Sequence, residues 1–308
     1  MMGLGLKPGD EVITADFTFA ATVEVIALLG LTPVLVDVLP DTFNIDPDAI
    51  EKAITPNTKA IVPVHLFGQV ADMDRIMDIA QKHNLFVIED NAQGIGATHT
   101  DAAGTKVKTG GIGHVGSTSF FPSKNLGCYG DGGAIFTNDD DPAHTIRGVV
   151  NHGMYKRYHH DVVGVNSRLD SLQAVVLNEK LKLLDFYNEC RKCAAIRYSQ
   201  LLQDHPNIET PVTSGDCDSH VYHQYTLKIV GADRDALVQH LQQNDIPCGV
   251  YYPIPLHLQK AYVDTRYKEA DFTVTNQLID EVVSLPMHSE LDEDQIQFIC
   301  KTILAFLD

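Results

Sequence analysis

The residues best suited to chemistry lie in three short segments. The first is Ser119-Phe120-Phe121-Pro122-Ser123-Lys124-Asn125-Leu126-Gly127-Cys128-Tyr129-Gly130-Asp131-Gly132-Gly133. Its lysine sits among apolar residues, a proline and glycines, on no obvious solvated helix face. A desolvated lysine has a lowered pKa and can serve as an amine nucleophile. Taken alone, a lysine beside a glycine loop is more often a surface residue or a structural cap. The second segment is Val87-Ile88-Glu89-Asp90-Asn91-Ala92-Gln93-Gly94. A carboxylate that ends a buried strand needs a partner. A protonated ring nitrogen is one such partner; an N-cap or a salt bridge is the plain alternative. The third is Asp16-Phe17-Thr18-Phe19-Ala20-Ala21-Thr22. An aromatic placed after a strand can stack on a flat ring, although core packing is its commoner use.

The surrounding pattern says what must position these residues. Residues 11–14, 33–36, 60–64 and 85–88 read as strands, the last ending in Glu89 and Asp90. Residues 22–29 read as a helix closed by Gly30, and Pro47 opens a short helix as a first-turn proline. Met73, Ile76, Met77 and Ala80 repeat at helical spacing, which predicts a helix over 71–83. This β-α-β-α-β order predicts an α/β fold with a mainly parallel sheet flanked by helices. Ligands in such sheets gather beyond the carboxyl ends of the strands, where Asp90 stands. From 110 to 138 the chain reads as short strands and glycine-rich turns, and from 171 to about 202 as one long helix. Residues 222–230 read as a strand, 233–243 and 292–306 as helices. The expected division is a large domain over 1–204 and a smaller α+β domain over 205–308.

Composition narrows the partners. The chain has 308 residues, 44% of them hydrophobic, and 23 basic against 41 acidic residues give a net charge of -18. Such an acidic chain favours neither duplex nucleic acid nor an anionic membrane. Six cysteines are too sparse for a disulfide scaffold, and Cys190 and Cys193 read as reduced thiols rather than a redox or zinc pair. No apolar run reaches the length of a membrane span, no signal pattern is expected, and Lys7 stands where a myristoylation signal wants Ser or Thr. A cytoplasmic protein is the expectation. Gly111-Ile112-Gly113-His114-Val115-Gly116 matches Gly-x-Gly-x-x-Gly, but a loop precedes it and a strand follows, the wrong context for a dinucleotide. His159 and His160 are adjacent and cannot chelate as a spaced helical pair does, so no metal site is expected.

Further motifs follow the three segments in a fixed order. Lys-Pro-Gly-Asp-Glu-Val occupies 7–12 and Pro-Val-His-Leu-Phe-Gly-Gln 63–69. Asn-His-Gly lies at 151–153, Gly-Val-Asn-Ser-Arg-Leu-Asp at 164–170, and Tyr-Tyr-Pro-Ile-Pro-Leu-His at 251–257. Each is weak singly. Their joint order resembles the sugar-nucleotide aminotransferases of the DegT/DnrJ/StrS type, pyridoxal-phosphate enzymes of the aspartate-aminotransferase fold. The resemblance implies that Lys124 is the Schiff-base lysine. It implies that Asp90 binds the pyridine nitrogen, Gln93 the phenolic-oxygen side of the ring, Phe19 a ring face and Ser119 the phosphate. Asn166 would reach the phosphate of a neighbouring subunit's cofactor, which makes a homodimer the working unit. Tyr252 and His257 are candidates for the sugar-nucleotide pocket, with packing as the alternative for both. The implied reaction takes an amino group from glutamate, releases 2-oxoglutarate, and passes the group to a nucleotide-linked keto sugar. The loop from 124 to 133 looks more like members that aminate C3 than those that act at C4. Relatives usually carry a further N-terminal stretch whose helix N-terminus binds the cofactor phosphate. The alternative reading is a paralogue that binds cofactor or sugar nucleotide without turnover. Retention of Lys124, Asp90 and Gln93 argues for catalysis.

Overall fold

A computed structural model describes residues 1–308. The main sheet has six strands: β1 (Glu11–Ala15), β2 (Thr32–Val36), β3 (Thr58–Val62), β4 (Phe86–Asp90), β5 (Val115–Ser119) and β6 (Gly133–Phe136). Their spatial order is β2-β1-β3-β4-β5-β6. The first five run parallel, and β6 pairs antiparallel with β5. Runs such as Val12-Ile13, Ala60-Ile61-Val62 and Val87-Ile88 suit strands covered on both faces, as parallel strands are.

The early helices start and stop where their side chains dictate. Helix α1 spans Ala21–Leu28. Helix α2 (Pro47–Ala53) begins with proline at its first turn, and the Asp46 carboxylate accepts from Asp48 N–H. Helix α3 (Met73–His83) is capped by Asp72, which accepts from Arg75 N–H. It buries Met73, Ile76, Ile79 and Ala80 and ends at Asn84 in the left-handed region. The principal core of 24 buried residues joins this helix to the sheet through Ile13, Ile61 and Val87. A smaller cluster around Val12, Ile26, Val62 and Ile88 covers the opposite face.

Helix α4 spans Asp140–Val149. The single helix expected over 171–202 is instead two, α5 (Ser171–Leu181) and α6 (Leu184–Leu202). Leu183 leaves helical geometry at φ -110°, ψ 0°, with neither glycine nor proline at the break. Tertiary packing accounts for it. Leu177 and Leu184 both pack on Phe120, Leu126 and Cys128 of the lysine loop, and the kink lets each helix present its own face there.

A second core of 17 residues follows. It takes Ala194, Ala195, Tyr198 and Leu202 from α6. Around them lies an antiparallel sheet of β7 (Ile208–Glu209), β8 (Tyr225–Ile229) and β9 (Val282–Leu285). Helices α7 (Arg234–Gln243) and α9 (Glu293–Leu307) pack on it, while α8 (Thr273–Glu281) sends Leu278 into the first core. No helix is long and apolar enough to cross a membrane. The segments around Phe19, Asp90 and Lys124 all leave the carboxyl ends of β1, β4 and β5.

Candidate active site

The loop that carries Lys124 is tightly held. Lys124 N–H donates to the Phe121 carbonyl at 2.9 Å, and Cys128 N–H to the Phe120 carbonyl at 2.8 Å. Gly127 is required there, because a Cβ would lie 2.4 Å from the Pro122 carbonyl oxygen. Asn125 ties the loop down by donating to the Val221 carbonyl and to Asn188 Oδ1. No hydrogen bond engages the Lys124 amine. Burial pulls its pKa below the ordinary lysine value, with the Asp90 charge opposing.

Asp90 ends β4 and is held by two donors. Thr22 Oγ1 donates to its Oδ2 at 2.7 Å, and Ala92 N–H to its Oδ1 at 3.1 Å. Thr22 sits in the first turn of α1, so the helix that follows Phe19 also aims this carboxylate. Gln93 is buried, its Oε1 accepting from Phe67 N–H at 2.6 Å and its Nε2 donating to the Tyr252 hydroxyl at 3.2 Å. Burial pushes the Tyr252 phenol up to about 12, against the opposing Gln93 hydrogen bond, so it stays protonated. The Phe19 ring is 60% exposed and stands 6.1 Å from the Tyr252 ring.

Two cavities meet here. One, of about 650 Å³, is lined by Lys124, Phe19, Gln93, Ser119, Tyr252 and His223, among others. The other, of about 540 Å³, is lined by Asp90, Thr22 and Ser117 together with the start of the chain. Ser119, Ala21 and Ala92 border both. A flat ligand lying across that border has the amine at one end and the carboxylate at the other. Ser119 Oγ accepts from Phe121 N–H at 3.2 Å, which leaves its own hydrogen to donate.

His257 and Asn166 line neither cavity, and Asn166 was expected at a neighbouring subunit's site rather than at this one. His257 is buried against Asp16, Nδ1 to Oδ2 at 2.7 Å, and stacks on Phe272 at 4.3 Å, so packing is the role its surroundings give it. Asn166 is exposed, bridges to Asn151, and accepts from Arg168 Nε at 3.2 Å.

Other residues were missed by sequence reasoning. Thr22 lies within a segment already singled out, three residues after Phe19 at the start of α1, and that position was the available signal. His223 had none. It sits in the bend just before β8, and its Nδ1 lies 3.3 Å from Asn125 Oδ1. Burial, then the nearby Lys124 and Arg191 charges, hold its pKa well below the usual value, so it is neutral. The glycine-rich loop of 110–116 has an internal occupant. The N–H groups of Gly110, Ile112 and Gly113 each donate at 2.7 Å to the buried Glu89 carboxylate.

Relatives bear on this arrangement. A protein of Pseudomonas aeruginosa named UDP-2-acetamido-2-deoxy-3-oxo-D-glucuronate aminotransferase is 47% identical over 98% of this chain and 81% of its own length. A Geobacillus stearothermophilus protein named pleiotropic regulatory protein is 46% identical over 99% of this chain and 81% of its own. The crystal structure of NtdA from Bacillus subtilis, described with bound cofactor PMP, superposes with a TM-score of 0.90 at 34% identity, covering 99% of this chain and 69% of that one. The model of the DegT/DnrJ/EryC1/StrS aminotransferases matches residues 1–304, which span the sheet, the lysine loop and the second core alike. With an amine, a carboxylate and an exposed aromatic ring converging on strand ends in that shared fold, this chain belongs to the DegT/DnrJ/EryC1/StrS aminotransferase family.

Proposed function

We propose that the chain is a pyridoxal-phosphate aminotransferase that puts an amino group on C3 of a nucleotide-linked keto sugar, with glutamate as donor and 2-oxoglutarate as by-product. One observation carries the reading. The Lys124 amine is unbonded and has a lowered pKa, and it lines a cavity bordering the one that the Asp90 carboxylate faces. Those groups, with the exposed Phe19 ring lining the Lys124 cavity, fit an aromatic aldehyde that carries a ring nitrogen and a phosphate. The name of the Pseudomonas relative supports a 3-oxo sugar. The cavity draws Lys124 from the first and residues 250–253 from the second of the two domains we propose, 1–204 and 205–308.

When bound, pyridoxal phosphate supplies the electron sink that lets a proton leave the carbon bearing the amine. Lys124 would hold the cofactor covalently and, once released, move that proton at Nζ; its lowered pKa keeps neutral amine available. Asp90, oriented by Thr22 and Ala92, would keep the ring nitrogen protonated. Phe19 would cover a ring face, and Ser119 would donate to the phosphate. Gln93 has one Nε2 hydrogen left for the ring oxygen after its bond to Tyr252. Tyr252 accepts from Gln93, so its own hydrogen is free for a sugar oxygen. One lysine serving both half-reactions implies ping-pong kinetics.

The unit we propose is a homodimer in the cytoplasm, with Asn166 reaching the neighbouring site's phosphate. Exposed Tyr129, Leu172 and Val175 near the lysine loop and α5 support a further contact surface. All six cysteines are free.

The test is a visible spectrum of the purified chain with added pyridoxal phosphate, beside Lys124→Ala. The expected result is a lysine-dependent cofactor band that glutamate bleaches. A band that Lys124→Ala leaves intact would overturn the assignment of the lysine. The relative named as a regulatory protein supports a second reading, binding without turnover. Under it the band forms and glutamate leaves it unchanged.

A further inference from the structure

Asp16 and His257 lie outside both cavities, and the reaction just proposed uses neither. We infer that they are a positioning pair, which clasps residues 250–257 to the end of β1 and thereby sets Tyr252 against Phe19 and Gln93 across the cavity. The inference rests on the proposed function for its catalytic consequence, and on hydrogen-bond geometry for the clasp itself.

Asp16 directly follows β1 and gives both carboxylate oxygens to one residue. Oδ1 accepts the backbone N–H of His257 at 2.7 Å, and Oδ2 lies 2.7 Å from His257 Nδ1. The Asp16 carbonyl also accepts Leu256 N–H at 3.3 Å. The two His257 bonds join positions 241 apart. The two side chains are 0% and 4% exposed, so water does not compete for the bonds. His257 Nε2 is buried with no partner. A ring protonated on Nδ1 alone leaves only a lone pair there, which is cheaper to bury than a stranded N–H. That is the tautomer that donates to Asp16.

The clasp is stiffly linked to the cavity. Pro253 and Pro255, each with φ restricted by its ring, separate Tyr252 from Leu256. Leu256 is anchored with Val23, Leu35 and Phe272, and the His257 ring stacks on Phe272 at 13°. At the other end, Tyr252 meets Phe17 edge-on at 6.0 Å and Phe19 at 6.1 Å, and takes the Gln93 bond at 3.2 Å. Phe17 follows Asp16 immediately, and Phe19 lies three positions on. One carboxylate thus stands at the root of two facing walls, Phe19 on one side and residues 250–253 on the other.

The experiment compares the parent with Asp16→Ala and Asp16→Asn. Hydrogen exchange by mass spectrometry is measured on the purified chains without cofactor. Steady-state kinetics are then measured with UDP-2-acetamido-2-deoxy-3-oxo-D-glucuronate and glutamate. The clasp predicts that Asp16→Ala speeds exchange over residues 250–257 about tenfold while α9 is unchanged, and raises KM for the sugar about tenfold with kcat near the parent value. Asp16→Asn, which keeps an oxygen for His257 N–H, should recover part of both. Unaltered exchange over 250–257 in both variants, or a uniform rise across the whole chain, would overturn the clasp. Faster local exchange with unchanged KM would overturn its role in positioning. If Asp16→Ala does not fold, Asp16→Asn decides by the same two readouts. A parent without turnover counts against the proposed function, and the exchange data still decide the clasp.

Discussion

Glu89→Gln probes how the end of β4, and with it Asp90, is held in place. Glu89 is fully buried, yet its carboxylate takes four donors. Oε1 accepts from Ile112 and Gly113 N–H at 2.7 Å each, and Oε2 from Gly110 N–H at 2.7 Å and His65 Nε2 at 3.0 Å. The His65 tautomer is set by its other nitrogen. Nδ1 accepts Ala71 N–H at 3.2 Å, so the proton sits on Nε2 and points at Glu89. Burial alone would raise the Glu89 pKa, but the bonds from His65, Gly113 and Gly110 outweigh it and hold the carboxyl below its ordinary value. Glutamine keeps the shape, so no cavity opens. Its NH2 group must replace one oxygen, and whichever it replaces, two donors lose their acceptor. Each stranded donor costs about 1–3 kcal/mol, so a combined loss of about 3 kcal/mol is a modest expectation. At about 2.1 cal/mol/K per residue over 308 residues, that corresponds to a fall in Tm of about 5 °C. The assay is thermal unfolding of parent and variant followed by circular dichroism, across pH. A lowered folded pKa contributes stability above the unfolded value and loses it as pH falls through the folded one. The gap between the two proteins should therefore hold at neutral pH and close in acid, below the ordinary glutamate value of about 4.3. A fall in Tm under about 2 °C, or a gap indifferent to pH, would refute the carboxylate cradle.

Three further outcomes follow from the site. Thr22→Val keeps the side-chain volume but deletes the 2.7 Å bond to Asp90. A bond to a charged group contributes about 1.5–3 kcal/mol, so affinity for pyridoxal phosphate should drop about tenfold or more in an absorbance titration. An unchanged affinity would show that Ala92 N–H suffices to aim Asp90. Tyr252→Phe removes a donor whose hydrogen is free for the sugar, so KM for the keto sugar should rise about fivefold or more while the glutamate half-reaction keeps its rate. An equal loss in both half-reactions would sink that assignment. Asp16 is raised to about 6, first by burial, with His257 opposing and Asp37 adding a little. A raised folded pKa means stability that is present below the unfolded value and lost as pH rises through about 6. The Tm of Asp16→Asn relative to the parent should therefore improve between pH 4.5 and 7, by the equivalent of about 3 kcal/mol at most. A difference that ignores pH would contradict it.

Much of the scaffold was legible before any coordinates. The strands around Val12, Ile61 and Val87 announce themselves because buried parallel strands need uninterrupted apolar runs. Helix α3 announces itself through Asp72 and its apolar spacing. Lys124, Asp90 and an aromatic in 16–22 stood out locally, each beside a strand end or a glycine turn, while Gln93, Ser119 and the choice of Phe19 came only from the family resemblance. The kink between α5 and α6 left none, since no residue type there breaks a helix and only packing on the lysine loop does so.

What the sequence by itself determined about this protein is its alternation of strand and helix and the short segments that bear an amine, a carboxylate and an aromatic ring. Local propensity and periodicity decide those within a few residues. Tertiary structure alone decided that Thr22 holds Asp90, that the Glu89 carboxylate fills the glycine loop, and that His223 reaches the lysine cavity, and it put Tyr252 on that cavity's wall. It also moved His257 out of the site and onto Asp16. Those pairings join residues up to 241 positions apart, and no local pattern encodes them, because each exists only once separate segments have packed and each buried polar group has had to find a partner.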